Sequence, residues 1–246
     1  MEKKSVFTHI YENRIWGEGS LSNPLSGSGS NPDNAKPYVD FVKEITLSYE
    51  LTSVLDVGHG DWAMWRDYKF DGIKYIGVDV ATGISRRMTE KYGNKSKIFI
   101  QIEKEAKLPD AELLICKDVL QHLSLKDMEP FLSQITKFPY LILCNAIYLK
   151  MPISREIRYI FQLRTRIKAL LSRKSPFFAV SLRRNNSGIS TGGFRGLDLE
   201  DRFFSEKFNE FELVKKFDYD GDGPIVEGIR KRVYFYKRKD NFTPKA

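Results

Sequence analysis

Apolar residues along this chain gather in short runs, and the spacing inside the runs changes between two periods. Runs at 52–57, 74–79, 97–102, 112–117 and 139–145 are continuous, rich in Val, Ile and Leu, and strand-length. Between some of them, 83–92 and 126–137 carry apolar positions at helical spacing. Ahead of the first run, Tyr38, Phe41, Val42 and Ile45 make one apolar stripe, which predicts a helix over 36–50. Phe7, Ile10, Tyr11, Ile15 and Trp16 predict a short helix within 5–17. Strands alternating with helices at this interval imply right-handed crossovers and a parallel sheet with helices on both faces. The rhythm stops over 146–200. Two late strands follow, 211–219 and 229–237, with turn chemistry between them at Asp220-Gly221-Asp222-Gly223-Pro224.

A chain of 246 residues suits one α/β domain with a large core. Hydrophobic content of 41% excludes a disordered protein. No apolar run approaches ~18 residues, so no spanning helix is expected. No apolar stretch follows Lys3 and Lys4, so no secretory signal is expected either. Cys116 and Cys144 lie in neighbouring predicted strands and read as buried apolar residues, with a disulfide or a reactive thiol as the alternatives. These features together suit a reducing cytosol, and a cytoplasmic location is expected. No residue cluster has metal-ligand spacing; Asp220, Asp222 and Glu227 lack the rest of a calcium loop and read as turn chemistry.

The net charge is +8, and most of it sits in one place. Residues 150–174 hold eight Lys and Arg, Arg155 and Arg158 among them, against the single acid Glu156. Ile157, Ile160, Phe161, Ile167, Leu170 and Leu171 interleave with the bases, which predicts a basic amphipathic helix over 153–173. Three readings stand: a lid helix with snorkelling bases, a surface for an anionic substrate, or peripheral contact with a membrane.

The chemistry centres on Val54-Leu55-Asp56-Val57-Gly58-His59-Gly60-Asp61-Trp62, an apolar strand that ends in two closely spaced glycines. About twenty residues on, Tyr75-Ile76-Gly77-Val78 ends in Asp79. This is the pattern of a nucleotide-type ligand held across the carboxyl ends of two parallel strands, with the acid placed to accept from a ribose. Gly58 and Gly60 let the backbone approach the ligand closely. The third glycine of the dinucleotide fingerprint is missing, and bulky Trp62 argues against a pyrophosphate over a helix N-terminus. A ribose-and-adenine ligand without phosphates fits better.

With Asp110-Ala111-Glu112-Leu113-Leu114-Ile115-Cys116-Lys117-Asp118-Val119-Leu120-Gln121-His122-Leu123-Ser124, these stretches resemble the class I S-adenosylmethionine-dependent methyltransferases over roughly 50–146. The resemblance implies an α/β, Rossmann-like fold: seven strands, mostly parallel, the last antiparallel, helices on both faces, an N-terminal cap and a helical insertion after strand five. It implies a single methyltransferase domain divided as 1–35 (cap and closing loop), 36–145 (cofactor core), 146–200 (basic substrate-side insertion) and 201–246 (final strands). It implies S-adenosylmethionine as cofactor, held by Asp56, Gly58, Gly60, Asp79 and Asp118, with Asp118 beside the methionine amino group. The acid that usually contacts adenine has no clean match; Gln101 and Glu103 are both candidates. His59 departs from the small residue or Cys common at its position and reads as structural or as a cofactor contact.

Residues 17–32 are rich in Gly, Ser, Asn and Pro, with Ser26-Gly27-Ser28-Gly29-Ser30 at the centre. They read as a flexible linker or as a closing loop. Trp16 just ahead favours the loop, and so places Trp16, Ser26, Gly27, Gly29 and Ser30 at the cofactor. Methyl transfer asks a protein for alignment and for removal of a proton from the acceptor. His122 is the candidate general base, and His9 reaches the site only if the cap folds over it. Arg195, in Gly192-Gly193-Phe194-Arg195, is either a clamp on an anionic acceptor or one half of a structural ion pair. Arg155 and Arg158 join it as candidate acceptor contacts. The Trp-Gly…Ser-Gly-Ser-Gly-Ser opening, the Asp-Val-Leu-Gln-His-Leu stretch and the Gly-Gly-Phe-Arg loop together look like enzymes of bacterial surface-polysaccharide (capsule) pathways. These methylate sugars or phosphorus-containing decorations such as phosphoramidate. The expected partner is therefore a small anionic or glycan-linked acceptor. An RNA or tRNA methyltransferase is the runner-up, but no Asn/Asp-Pro-Pro-aromatic motif and no RNA-binding appendage is present. A non-catalytic partner that keeps the cofactor fold is the third reading.

Overall fold

A computed structural model describes residues 5–103, 105–149, 185–221 and 229–239. Helix α1 (Val6–Glu12) starts at Ser5, whose hydroxyl accepts from the Thr8 N–H. Helix α2 (Pro32–Ser48) begins four residues before the expected start at 36. Its apolar stripe does start later, but the cap decides the boundary. The Asn31 side chain accepts from the Asp33 and Asn34 N–H groups, and Pro32 occupies the first turn, where no N–H is needed. Tyr38, Phe41, Val42 and Ile45 are all buried, as the stripe predicts.

Seven strands make one sheet in the order β3-β2-β1-β4-β5-β7-β6. They are β1 (Ser53–Val57), β2 (Lys74–Asp79), β3 (Lys97–Gln101), β4 (Leu113–Lys117), β5 (Tyr140–Tyr148), β6 (Phe211–Tyr219) and β7 (Ile229–Arg238). The first five run parallel, and β7 is antiparallel to both its neighbours, β5 and β6. β5 runs on to Tyr148, beyond the expected 145, because β7 pairs with it along its whole length. α3 (Ile84–Tyr92) and α4 (Leu125–Ile135) follow β2 and β4. One face of the sheet packs Leu55, Leu114, Leu141, Leu143 and Tyr234 against Met128 and Leu132 of α4. The other packs Val54, Ile115, Ile142, Val233 and Phe235 against Phe41, Val42 and Ile45 of α2.

Strand parity sends Cys116 and Cys144 to opposite faces; both are buried and neither forms a disulfide. No α-helix follows β1: a single 3₁₀ turn, Ala63–Trp65, leads on toward β2. Trp62 adopts the left-handed region, φ 59°, and is buried against Tyr75, Tyr92 and Phe99. The basic segment 153–173, Arg155, Arg158, Asp222 and Glu227 lie outside the described residues. No helix among the described residues is long and apolar enough to cross a membrane.

Candidate active site

The strand order reverses between β1 and β4, and the crevice outside their carboxyl ends is where such sheets bind ligands. A cleft of about 680 Å³ of empty space, partly open to solvent, lies there. Its walls come from five directions: Val57 and Gly58 at the end of β1, Val78 to Val80 at the end of β2, Ile102 just after β3, Lys117 to Val119 and His122 at the end of β4, and Phe7, Tyr11, Trp16, Ser26 and Ser30 from the N-terminal segment.

The β1 end is built by glycine geometry. Gly58 has φ 78°, and a Cβ there would meet Val119 Cγ2 at 2.3 Å. Its N–H donates to Val78 O at 2.8 Å, drawing the β1 loop onto β2. Gly60 has φ 55°, and a Cβ there would sit 2.1 Å from Ser26 Oγ. The Gly60 N–H donates to Asp79 Oδ2 at 3.1 Å, and the Ala81 N–H donates to Asp79 Oδ1 at 2.8 Å. The Asp79 carboxylate is thus held in one orientation at the cleft wall, with lone pairs left on both oxygens.

Asp56, expected at the cofactor, points elsewhere. On a strand, neighbours face opposite sides of the sheet, and it is Val57 that lines the cleft. The Asp56 carboxylate is buried under α2, accepting from Tyr75 Oη at 2.6 Å and Trp65 Nε1 at 2.9 Å. Burial pushes its pKa up to about 6 despite those two bonds. His59 is also internal. Its Nδ1 lies 2.8 Å from Gly60 O and its Nε2 2.9 Å from Ser85 Oγ, and burial lowers its pKa, so it stays neutral. It does not line the cleft, and Gly77 leaves the space its ring fills.

The 17–32 segment is a tied loop rather than a linker. The Leu25 N–H donates to Asp61 Oδ2 at 2.6 Å, the Asp61 N–H donates to Ser26 Oγ at 2.9 Å, and Tyr11 Oη is 3.1 Å from that same oxygen. Lys117 Nζ donates to Gly29 O at 2.8 Å. Trp16, Ser26 and Ser30 reach the cleft itself. Gly27, φ 90°, packs beside Trp16, and Gly29 offers its carbonyl to Lys117; neither lines the cleft.

At the β4 end, His122 closes a 3₁₀ turn, Leu120–His122. Its Nδ1 lies 2.6 Å from Gly193 O; a carbonyl only accepts, so Nδ1 carries the proton and Nε2 is the basic nitrogen. The Gln121 amide is oriented by the Ala146 N–H, which donates to its Oε1 at 2.6 Å, so Gln121 Nε2 donates toward His122 Nε2 at 3.2 Å. The Trp16 ring lies 4.8 Å from the imidazole.

Asp118, in the left-handed region at φ 60°, has both oxygens engaged: Oδ2 by Lys117 Nζ at 2.5 Å, Oδ1 by Lys231 Nζ at 2.8 Å. Burial opposes its ionisation, but the two ammoniums outweigh that and hold it well below the usual carboxylate range. Both lysines escaped sequence reasoning. A lysine closing an apolar run was the available signal for Lys117. Lys231 had none, since it comes to Asp118 from 113 residues away.

Arg195 corrects an expectation. It is fully buried and does not line the cleft. Its Nη1 donates to Ser187 O at 3.1 Å and its Nη2 to Leu123 O at 2.6 Å, and among the described residues it pairs with no carboxylate. In place of a clamp at the cleft or an ion pair among the described residues, it ties the 185–197 segment to the chain just after His122. Gln101, exposed, accepts from the Gly83 N–H at 3.3 Å, and Glu103 is exposed; the residue of this stretch that lines the cleft is Ile102. His9 is exposed, 3.0 Å from Asn13 Nδ2, and does not line the cleft. No group of His, Cys, Asp or Glu able to hold a metal ion occurs among the described residues.

No protein-family model matches the chain. No curated protein matches it either. Solved structures do. Magnesium protoporphyrin IX methyltransferase from Synechocystis PCC 6803, with bound SAH, is 16% identical, covers 95% of each chain and has a TM-score of 0.57. The methyltransferase domain of bacterial CtHen1 is 13% identical over 82% of this chain and 98% of that one, TM-score 0.51. Mycolic acid cyclopropane synthase CmaA1, complexed with SAH, is 10% identical over 80% and 84%, TM-score 0.50. With the strand order and the crevice at the β1/β4 reversal, they establish that this chain has the Rossmann-like methyltransferase fold.

Proposed function

We propose that this protein is an S-adenosylmethionine-dependent methyltransferase that methylates an oxygen of a small anionic or glycan-linked acceptor. The observation that carries the reading is Asp79. Its carboxylate is pinned by the Gly60 and Ala81 amides at the wall of a cleft that has the Gly58 backbone on one side, where β1 leads into a 3₁₀ turn and not into an α-helix whose N-terminus would hold a pyrophosphate. Two oriented oxygens with free lone pairs suit the two hydroxyls of a ribose. Val57, Val78, Val80, Ile102 and Phe7 supply apolar wall for an adenosyl group. Similar solved structures hold SAH at this fold.

The donor supplies an activated methyl group when bound. The chain has to align the acceptor, exclude water and take a proton. Trp16 and Tyr11 cover the cleft from the cap side. His122 Nε2 is the proton acceptor on the cleft wall once the acceptor hydroxyl displaces the Gln121 amide from it, and the Gly193 carbonyl keeps the opposite nitrogen protonated. The acceptor class rests on sequence resemblance: the three motifs that look like those of capsule-pathway enzymes, and the basic 150–174 segment as a surface for a phosphorylated or nucleotide-linked sugar, or a phosphoramidate-type precursor, in the cytoplasm.

Calorimetry tests the cofactor reading. SAH should bind at about micromolar strength, and Asp79→Ala should weaken it by about 1.5–3 kcal/mol, the scale of hydrogen bonds to a charged group. No binding by the wild type, or tighter binding of NAD, overturns the assignment.

A further inference from the structure

The β4 end of the cleft holds a charge arrangement that the motif resemblance did not foresee. The resemblance implies that Asp118 sits beside the amino group of the cofactor's methionine. In the structure, each oxygen of Asp118 already faces an ammonium, Lys117 at 2.5 Å and Lys231 at 2.8 Å. A third cation brought to that carboxylate would be repelled by two neighbours at close range. Lys117 is the member that lines the cleft, with its side chain only 2% exposed. An ammonium has three donors. Gly29 O and Asp118 Oδ2 take two, and the third has no acceptor among the described residues. Beside it, the ring of Tyr38 lies 6.0 Å from Nζ, and the fully buried Tyr38 hydroxyl has no hydrogen-bond partner. A buried, incompletely satisfied ammonium is costly, and an anion from the ligand would relieve it.

We infer that Lys117 is the anion receptor of the cleft. It takes the carboxylate of the ligand's amino-acid portion, and Asp118 acts as the fixed counter-ion of the two lysines rather than as the partner of the ligand's ammonium. The backbone supports this division. Asp118 adopts the left-handed region with both carboxylate oxygens held by the lysines, and Lys117 ties the Gly29 carbonyl of the closing loop to the same point. Donor selectivity at this end therefore reads a negative group. The inference rests on the ligand being S-adenosylmethionine or SAH.

Calorimetry on the full chain with three probes separates the two ideas. The probes are SAH, its decarboxylated analogue, which keeps the ammonium, and its deaminated analogue, which keeps the carboxylate. Decarboxylation should weaken binding about 10- to 100-fold, the equivalent of a hydrogen bond to a charged group, while deamination should cost less than about 5-fold. Lys117→Gln keeps donors for Gly29 and Asp118 but removes the charge. It should bind SAH about as weakly as the wild type binds the decarboxylated probe, and its preference between the two should shrink to within about 3-fold. A larger loss on deamination than on decarboxylation overturns the inference, as does undiminished discrimination by a folded Lys117→Gln protein. If that variant does not fold, the wild-type comparison of the three probes decides alone. Failure of all three probes to bind removes the cofactor reading and the inference together; SAH binding with both analogues equal to it removes the inference only.

Discussion

His122 Nδ1 lies 2.6 Å from the carbonyl oxygen of Gly193, 71 residues further along the chain. The contact is reinforced by the backbone, because the Gly192 N–H donates to His122 O at 2.8 Å and the Arg195 N–H to Gln121 O at 3.2 Å. The segment after the basic 150–174 stretch thereby fixes both the position and the tautomer of the candidate base. That is the second-partner logic of general-base sites, in which one ring nitrogen is anchored so that the other takes up protons.

From this geometry, His122→Ala should lower turnover by about 10²–10⁴-fold, the usual yield of a positioned general base. SAH affinity should change little, since the adenosyl walls come from other residues. Steady-state kinetics across pH 6–9 checks it. Near wild-type turnover throughout would mean that the acceptor is already ionised and that the enzyme acts by alignment alone.

Asp56 should make stability fall between about pH 4 and pH 6. Its pKa is near 6 in the folded protein and 3.8 when exposed, so the folded state holds the proton more tightly in that window. The stabilisation is complete below the unfolded pKa and is lost as pH rises through the folded one, by roughly 3 kcal/mol at most. Urea unfolding of the wild type and Asp56→Asn at several pH values isolates the contribution. The difference between the two should change across that window; a constant difference contradicts it.

Gly60→Ala should release the closing loop. Any Cβ at Gly60 collides with Ser26 Oγ, and the left-handed φ adds strain. Amide exchange over 17–32 should rise in the variant, and SAH binding should weaken. SAH should also slow exchange over this segment in the wild type. Equal exchange in both proteins would show that the loop is not held by its packing on Gly60.

Arg195→Met should act on stability first. It leaves the Leu123 and Ser187 carbonyls without their donors, which costs about 1–3 kcal/mol for a buried group, or a fall in Tm of about 2–4 °C per kcal/mol at this chain size. Turnover should drop in step, because the His122 turn loses its anchor. An unchanged Tm with a raised acceptor KM would restore Arg195 to the acceptor site.

The sequence by itself determined the strands, the glycine turn after β1 and the acid after β2. The reason is physical: a strand buried on both faces must be a continuous apolar run, and a tight, ligand-facing turn needs glycine, so both leave a local imprint. Helix stripes are equally local, although the start of α2 was set by the Asn31 cap rather than by its stripe. What only the tertiary structure decided was where side chains point and which distant groups meet. Asp56 looks like a ligand residue next to Gly58, yet strand parity turns it into the core against Trp65 and Tyr75. Arg195 reads as an acceptor clamp or half of an ion pair, yet the fold buries it on backbone carbonyls. Lys231 reaches Asp118 because β7 inserts beside β5, and Gly193 reaches His122 because Gly192, Arg195 and Leu197 bond through their backbone to His122, Gln121 and Ala146. Such pairings follow from sheet order, and residues more than seventy positions apart carry no local signal of the partner that closure will give them.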